Sequence, residues 1–211
     1  MLEGVEGAGK TTQTARLAEW LRARGHAVTA TREPGGTRVG EAVRAVLLER
    51  ADLELPAETE LLLVLAARVA FVRQVVEPAL TRGEIVVADR FSLSTLAYQG
   101  YGRGLDLVTV RRMDAFARAG VEPDLVLVLD LPIEEGVRRQ RAAGKGSDRI
   151  ERAGAAFHER VAAGYRALAR EGVLAGGLIG VVDALGTPDA VHERVRAALR
   201  EAFGTFPGNA D

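Results

Sequence analysis

The fold of this chain is decided by one stretch near its start, Gly4-Val5-Glu6-Gly7-Ala8-Gly9-Lys10-Thr11. The stretch fits the phosphate-binding pattern G-x-x-x-x-G-K-[ST] at every required position. Glycines let several backbone N–H groups approach one anion, and the helix that follows directs its positive end at the same place. We therefore predict a loop that binds the phosphates of a nucleoside triphosphate, with Lys10 adding charge and Thr11 offering its hydroxyl to Mg²⁺.

The composition excludes several classes of protein. A chain of 211 residues suits one domain, and a net charge of −1 gives no general attraction to nucleic acid or to a membrane surface. The strongest apolar run, residues 125–131, is short and interrupted by Asp130, so no membrane span is predicted. There is no cysteine, which removes disulfides and thiolate metal sites. We expect a single domain over residues 1–211 in a reducing cytoplasm.

Strand-like and helical patterns alternate along the chain, which is typical of a parallel sheet covered by helices on both faces. Together with the loop, this predicts an α/β fold of the P-loop NTPase type with a five-stranded parallel sheet. Besides a short strand before Gly4, we expect strands at 27–31, 85–88, 125–130 and 178–182. We expect helices at 12–24, 39–49, from about 57 into the seventies, and at 109–119, 133–141, 148–170 and 188–203. Residues 98–104 are expected to be a glycine-spaced connection.

The two ends of the chain differ from the regular alternation of strands and helices. A phosphate loop normally follows a buried strand, yet only three residues precede Gly4. Either the first strand is very short, or the chain as given begins downstream of its natural start, and we expect the second. The tail, residues 204–211, is expected to be flexible.

Charged residues follow the predicted strands at positions where a parallel sheet binds ligands. Arg32 and Arg90 are two cations in addition to the phosphate loop, which indicates a second, phosphorylated substrate. A surface salt bridge is the alternative for each arginine taken alone. Asp89 is placed to hold Mg²⁺ through water or to orient the attacking oxygen, although it could instead cap neighbouring N–H groups.

Residues 138–150 concentrate basic side chains around a glycine-hinged loop that includes Lys145. Such a segment could close over the phosphates as a lid and supply positive charge to the transition state. The alternative interpretation is a solvated basic face of a helix.

Several stretches together resemble thymidylate kinases over essentially the whole chain. They are Glu3 to Thr12, Thr31-Arg32-Glu33-Pro34-Gly35-Gly36-Thr37, Ala66-Ala67-Arg68, Asp89-Arg90-Phe91, Ser94-Thr95-Leu96-Ala97-Tyr98-Gln99-Gly100 and Asp148-Arg149-Ile150-Glu151. The resemblance implies transfer of the γ-phosphate of ATP to thymidine 5'-monophosphate (dTMP) for deoxynucleotide biosynthesis. It also implies a Mg²⁺-dependent homodimer with ATP and dTMP as its small-molecule substrates.

The resemblance also implies roles for individual residues. Glu6 would contact the sugar hydroxyl of the acceptor, Arg32 and Arg90 would hold its phosphate, and Tyr98 would lie against the deoxyribose and exclude a 2'-hydroxyl. The thymine edge would be contacted by Arg68, Thr95 and Gln99. Bacterial members with an acidic residue in the loop, as Glu6 is here, use lid arginines in catalysis, and the candidates are Arg138, Arg141 and Arg149.

One position departs from the family pattern. The family usually has an aromatic ring four residues before the position of Arg68, where this chain has Val64. Phe71, one turn beyond Arg68, could supply part of the ring or could be a core residue.

Three other functions stay open at this stage. A kinase for another nucleoside monophosphate would share the loop and differ in base selectivity. A guanine-nucleotide switch would need an Asn-Lys-x-Asp base-binding motif, but the only asparagine is Asn209 in the tail. An inactive scaffold would be expected to lack acceptor residues, whereas Arg32, Asp89 and Arg90 are present.

Overall fold

The computed structural model describes residues 1–50, 52–144, 148–174 and 177–204. Residues 145–147 of the predicted lid, including Lys145, lie outside these ranges, as does the predicted tail beyond Gly204. Within the described residues, no helix has the length and apolar character needed to cross a membrane.

The described strands form one six-stranded sheet in the order β2-β3-β1-β4-β6-β5. Their bounds are β1 Leu2–Glu3, β2 Val28–Arg32, β3 Ile85–Asp89, β4 Leu125–Asp130, β5 Val173–Leu174 and β6 Gly177–Asp183. The predicted five-stranded parallel sheet is confirmed, because the pairs β2–β3, β3–β1, β1–β4 and β4–β6 are all parallel. The two-residue β5, which the sequence analysis missed, adds an antiparallel edge strand.

The register brings the carboxyl ends of the parallel strands together. Arg32 at the end of β2 lies opposite Asp89 at the end of β3, and Asp130 of β4 lies opposite Asp183 of β6. The short β1 pairs with both neighbours, since Leu2 lies opposite both Asp89 and Leu127. Residues that follow these strands therefore share one edge of the sheet.

Nine α-helices lie in the described residues: α1 Lys10–Arg22, α2 Arg38–Arg44, α3 Ala57–Phe71, α4 Glu77–Thr81, α5 Ser92–Thr95, α6 Leu107–Arg118, α7 Ile133–Ala142, α8 Ala155–Arg170 and α9 Pro188–Phe203. Three π-helical segments continue them, Ala45–Glu49 after α2, Val72–Val76 between α3 and α4, and Leu96–Gly102 after α5. A 3₁₀ turn, Glu151–Ala153, precedes α8.

The central strand β4 is buried on both faces, as its apolar sequence predicts. Val126 and Val128 belong to a core cluster formed with residues of α3, α6 and α8. The intervening Leu127 and Leu129 belong to a cluster formed with residues of α1 and α9. Helices therefore cover the two faces of the sheet separately, which leaves the carboxyl edge open for ligands.

Most predicted bounds are within a few residues of the observed ones, and two larger differences concern the segment Leu96–Gly102 and the start of α8. Residues 98–102, expected as part of a connection, belong to the helical segment Leu96–Gly102, whose glycines allow close packing. A Cβ on Gly102 would lie 2.7 Å from the Phe157 ring of α8, and one on Gly100 would lie 2.4 Å from the side chain of Leu107 in α6. The helix expected from residue 148 begins only at Ala155, since Gly154 has a φ of +90°, which an α-helix cannot accommodate.

Candidate active site

The phosphate loop joins β1 to α1, and its glycines adopt conformations that other residues disfavour. Gly4, Gly7 and Gly9 have φ values of +136°, +75° and +89°. A Cβ on Gly4 would lie 2.5 Å from the carbonyl oxygen of Leu129, and one on Gly7 would lie 2.4 Å from that of Gly136. The loop is therefore packed between β4 and α7, and only glycine fits at either contact.

Lys10 begins α1 and extends across the loop that precedes it. Its Nζ donates a hydrogen bond to the carbonyl oxygen of Val5 over 2.8 Å, and the side chain is almost fully buried. Burial and, to a smaller extent, nearby Arg90 lower the pKa of Lys10 to about 8, against the opposing effect of the neighbouring carboxylates. The ammonium is thus held within the curve of the loop, where phosphate oxygens would replace the carbonyl as its partners.

Thr11 and Asp89 place two oxygen groups side by side in the cavity. The Thr11 hydroxyl donates to Asp89 Oδ2 over 2.5 Å, linking the first turn of α1 to the end of β3. The described residues contain no group of three or more His, Cys, Asp or Glu suited to a metal ion. A hydroxyl with one carboxylate nevertheless fits Mg²⁺, which takes few protein ligands and completes its shell with phosphates and water.

Arg90 lies at the centre of a polar cluster beyond the phosphate loop. It is held in a left-handed backbone conformation, φ +74°, and its guanidinium pairs with the Glu6 carboxylate. It also donates to the hydroxyls of Tyr98 (3.2 Å), Ser94 (3.0 Å) and Tyr165 (3.1 Å). Tyr98 donates to Glu6 over 3.2 Å. Three residues that the resemblance assigns to the acceptor, Glu6, Arg90 and Tyr98, are therefore in mutual contact.

Glu3, to which the sequence analysis gave no role, holds part of this cluster in place through hydrogen bonds. Its carboxylate is fully buried and accepts hydrogen bonds from the backbone N–H groups of Phe91 (2.7 Å) and Ser94 (3.1 Å). It also accepts from the hydroxyls of Ser94 (2.6 Å) and Tyr165 (3.1 Å). Glu3 therefore positions two of the hydroxyl groups that contact Arg90.

Arg32 lies at the end of β2 and lines the same cavity as Arg90. Its guanidinium forms an ion pair with Glu41 of α2 at 3.1 Å, and both side chains are about half exposed. Such exposed pairs contribute little to stability. Arg32 is thus available to exchange Glu41 for an anionic ligand at low cost.

Arg68 is buried and held by acidic and hydroxyl groups from three directions. Its Nε and Nη2 donate to Glu33 Oε2 over 2.9 and 2.8 Å, and its Nη1 donates to Asp114 (2.5 Å) and Thr95 (2.8 Å). Burial raises the pKa of Glu33 to about 7, although Arg68 opposes the rise. A guanidinium has five N–H donors. Among the described residues, the second N–H of Nη2 makes no hydrogen bond.

Gln99 is held by a carboxylate that the sequence analysis did not identify. Its Nε2 donates to Glu60 Oε1 over 2.9 Å. The same carboxylate accepts from Arg103 over 3.1 and 2.9 Å and from Arg149 over 2.5 Å. Gln99 and Glu60 line the cavity together with Thr95 and Arg68.

Val64 and Phe71 occupy different environments although both lie on α3. Val64 lines the cavity one turn before Arg68. Phe71 is fully buried in a core cluster, and its ring packs against that of Phe91 with centroids 6.2 Å apart. Of the two possibilities left open for Phe71, the structure supports the core residue.

The predicted lid arginines point in different directions. Arg138 is 71% exposed and pairs with Glu135, and Arg141 is also exposed. Arg149 donates to the Leu47 carbonyl oxygen over 2.8 Å and to Glu60. The lid arginine that lines the cavity is Arg139, which the sequence analysis did not single out, and it donates to the Ala184 carbonyl oxygen over 3.0 Å.

One cavity of about 940 Å³ contains most of these groups. It is lined by the phosphate loop, Thr11, Arg32, Arg68, Asp89, Arg90, Thr95, Tyr98 and Gln99, and on the lid side by Arg139 and Gln140. Its volume is at the upper end of the range for ligand sites. Arg138, Arg141 and Arg149 do not line it.

The sequence analysis gave no role to four supporting residues, namely Glu3, Glu33, Glu60 and Asp114. Each acts on a residue distant in sequence, as Asp114 does on Arg68, 46 positions away. Glu3 and Glu33 lie inside stretches that carry the family resemblance, so their position was a usable signal. Glu60 and Asp114 lie on helices, where a charged residue is ordinarily taken to be on the solvent side.

Comparisons with known proteins agree with this geometry. A sequence model described as thymidylate kinase matches residues 2–195. The chain is 49% identical over 212 residues to a thymidylate kinase of Desulforudis audaxviator, covering 99% of this chain and 95% of the relative. It is 47% identical over 206 residues to one of Pelotomaculum thermopropionicum, covering 98% and 94%. The chain therefore belongs to the thymidylate kinase family.

Proposed function

We propose that this chain transfers the γ-phosphate of ATP to dTMP, forming ADP and thymidine diphosphate for deoxynucleotide biosynthesis. One observation carries the proposal: a single cavity joins the phosphate loop to a second group of cations and to polar side chains suited to a base edge. A nucleotide-binding switch would need only the first of these. Family membership favours dTMP over other acceptors.

On the donor side, the backbone of the loop, Gly4 to Gly9, surrounds the phosphates of ATP, and Lys10 neutralises charge that develops on them during transfer. Thr11 and Asp89 would hold Mg²⁺, and the ion, when bound, would offset the negative charge of the phosphates. Asp89 is anchored for this role because its carboxylate accepts from Thr11 and it ends a central strand.

On the acceptor side, Arg32 and Arg90 hold the phosphate of dTMP. Glu6 accepts from the sugar hydroxyl, and its pairing with Arg90 links the orientation of the sugar to that of the phosphate. Tyr98 lies against the deoxyribose, and because it is buried between Arg90 and Phe157 it cannot move aside for a 2'-hydroxyl. Bringing the two phosphates into fixed register is the main contribution a protein makes to phosphoryl transfer.

The base edge is contacted by Arg68, Thr95 and Gln99. Arg68 has one N–H to offer to the O4 atom of thymine, while Thr95 uses its hydroxyl to hold the guanidinium in place. Val64 supplies only methyl contact to the face of the base. A lid arginine, with Arg138, Arg139, Arg141 and Arg149 as candidates, supplies charge to the transition state.

Release of ADP across a panel of acceptors tests the proposal. We expect release that depends on Mg²⁺ and on an acceptor, with dTMP giving the highest kcat/KM among dTMP, dUMP, dCMP, dAMP and dGMP. A different preferred acceptor would indicate another nucleoside monophosphate kinase. ATP binding without acceptor-dependent release would indicate a switch or an inactive scaffold.

We also propose that the enzyme works as a homodimer in the cytoplasm, where ATP and nucleoside monophosphates are available. Support for the dimer comes from α3 and α6, which pack against each other. Each carries large apolar side chains on the surface: Leu62, Val69, Val108 and Phe116. Exposed apolar surface of this kind is typical of a protein interface.

A further inference from the structure

Glu60 is a charged residue whose side chain is buried in the wall of the cavity. It lies in the first turn of α3, its side chain is 1% exposed, and it forms part of the cavity wall. Ionised carboxylates are almost never fully buried unless they are paired. Here Arg103 and Arg149 provide the pairing, at 2.9 and 2.5 Å. Burial alone would raise the pKa of Glu60, but hydrogen bonds from Arg103, Arg149 and Gln99 bring it below its ordinary value.

The third partner of this carboxylate is the side-chain amide of Gln99. An amide has an NH₂ end that donates and a carbonyl end that accepts, and the two ends have nearly the same shape. An ionised carboxylate can only accept, so the NH₂ end must face Glu60, as the 2.9 Å bond from Nε2 to Oε1 shows. The carbonyl oxygen of Gln99 accepts no hydrogen bond from the described residues, and the residue lines the cavity.

We propose that Glu60 is a specificity-determining residue: by fixing the Gln99 amide with its carbonyl oxygen toward the ligand, it selects pyrimidines that carry a hydrogen on N3. The inference rests on the proposed function, because it takes the base to be bound beside Arg68 and Gln99.

The chemistry of the pyrimidine edge makes this orientation selective. Thymine and uracil present an N3–H donor and an O4 acceptor, which match the Gln99 oxygen and the remaining Arg68 N–H. Cytosine presents an unprotonated N3 acceptor and an amino donor. Its N3 would therefore face the carbonyl oxygen of Gln99, and both atoms are acceptors. Turning the Gln99 amide would remove that conflict, but it would then direct the amide oxygen at the Glu60 carboxylate. A buried polar group without a partner costs ~1 to 3 kcal/mol.

The substitution Glu60→Gln tests the proposal with little change of shape. A glutamine at this position can donate or accept, so it tolerates either orientation of the Gln99 amide. We expect the ratio of kcat/KM for dTMP to that for dCMP to fall about 5- to 150-fold. The change should appear mainly in the KM values of the pyrimidine substrates. The ratio of dTMP to dUMP, which share the same edge, should stay constant, as should the KM for ATP.

Arg103→Gln is the matched control. It removes another partner of the same carboxylate, but leaves Glu60 ionised by Arg149 and bonded to Gln99, so the ratio of dTMP to dCMP should be retained. The double variant with Glu60→Gln and Arg103→Gln loses one charge of each sign, and it replaces Glu60→Gln if that variant unfolds. We expect the double variant to show the same fall in ratio.

Three outcomes would overturn the inference. The ratio could stay unchanged in Glu60→Gln and in the double variant, it could fall equally in Arg103→Gln, or the dTMP to dUMP ratio could change as strongly. The last two would indicate a general loosening of the pocket. Where turnover of dCMP is too slow to measure, calorimetric dissociation constants for dTMP and dCMP supply the ratio. Failure of the wild-type enzyme to prefer dTMP would instead count against the proposed function.

Discussion

Charged side chains at this site are held in reciprocal pairs. Arg90 is paired with Glu6, and Arg68 with Glu33 and Asp114. Removing one member of a buried pair leaves an uncompensated charge and typically costs ~3 to 5 kcal/mol. Replacing a whole buried pair by apolar groups is often neutral or stabilising, so the benefit of these pairs is that the guanidinium groups keep one orientation before the acceptor arrives.

Lys10 is expected to be essential for transfer and dispensable for folding. Lys10→Ala removes the charge that neutralises the phosphates, so activity should be lost while the melting temperature changes little. Lys10→Arg should also lose activity, because a planar guanidinium does not fit the niche in which Nζ lies 2.8 Å from the Val5 carbonyl oxygen. Initial rates and thermal unfolding check both variants. High activity in Lys10→Arg would show that this loop does not carry the chemistry.

Val64→Phe is expected to tighten binding of dTMP. A ring at this cavity-lining position could stack on the base, and base–aromatic stacking is worth roughly 1 to 3 kcal/mol in nucleic-acid-binding proteins. By analogy, the KM for dTMP should fall about 5- to 150-fold, with little change in the KM for ATP. Initial-rate kinetics with each substrate varied in turn provide the measurement.

Phe71→Ala provides the contrast on the same helix. Phe71 is a core residue, so its truncation should destabilise the protein by ~3 to 5 kcal/mol rather than act on the base. A rise in the KM for dTMP without loss of stability would return Phe71 to the site. Unchanged acceptor kinetics in Val64→Phe would show that this face of α3 does not line the base pocket. The role assigned to Arg68 would then be wrong as well.

How much of the site could be predicted depended on sequence distance. The phosphate loop was predictable because its ligand groups are contiguous and the glycine spacing reflects local geometry. Arg32, Asp89 and Arg90 were predictable because parallel strands end at one edge. Glu60 and Asp114 were not, because each acts through a tertiary contact, and nothing in the local sequence of a helix records what packs against it.

At the level of elements, close glycine contacts set the position of α7, in which the predicted lid, residues 138–150, begins. Gly136 of α7 meets the phosphate loop so closely that a Cβ there would lie 2.4 Å from the Glu6 carbonyl oxygen. The base of the lid is therefore attached to the loop. Arg149, at the far end of the predicted lid, contacts Glu60 on the side of the cavity where the nucleobase is proposed to bind.

The lid arginines should differ widely in their effect on turnover. An arginine that stabilises transferring phosphate can be worth ~10³ to 10⁵ in rate in related systems. Single Ala variants at Arg138, Arg139, Arg141 and Arg149 should therefore include one with a large loss of kcat, while ATP affinity changes far less. Arg200→Ala, an exposed arginine on α9, is the control and should retain wild-type kinetics. Four small and equal losses would indicate only a solvated basic face.

Elements were predictable where they follow from local periodicity, and less so where packing decides. Strand β4 and helix α9 have the predicted bounds, since one is a continuous apolar run and the other begins at Pro188 with an amphipathic pattern. Residues 96–102 were not predicted as helical because their glycines suggest a turn. In the folded protein Gly102 allows close contact with α8 and Gly100 with Leu107 of α6, and these contacts stabilise the helix.

The whole molecule has two different outer layers. Helices α1 and α9 cover one face of the sheet, and α3, α6 and α8 cover the other. Leu62 and Val69 are seven positions apart on α3, and Val108 and Phe116 are eight apart on α6, so each pair shares a side of its helix. Phe116 is 84% exposed. Exposed apolar residues on two helices that pack against each other are costly for a monomer and suited to a partner with the same surface.

Phe116→Asp is therefore expected to separate the proposed dimer. In a two-fold interface both subunits contribute the same surface, so one substitution places two charges in the apolar interface and desolvates both. Sedimentation velocity over a range of protein concentrations should show a dimer for the wild type and a monomer for the variant. Phe203→Asp is the control, since Phe203 is also exposed, at 47%, but lies on α9 against the opposite face of the sheet. A monomeric wild type, or an equal effect of both substitutions, would contradict an interface formed by α3 and α6.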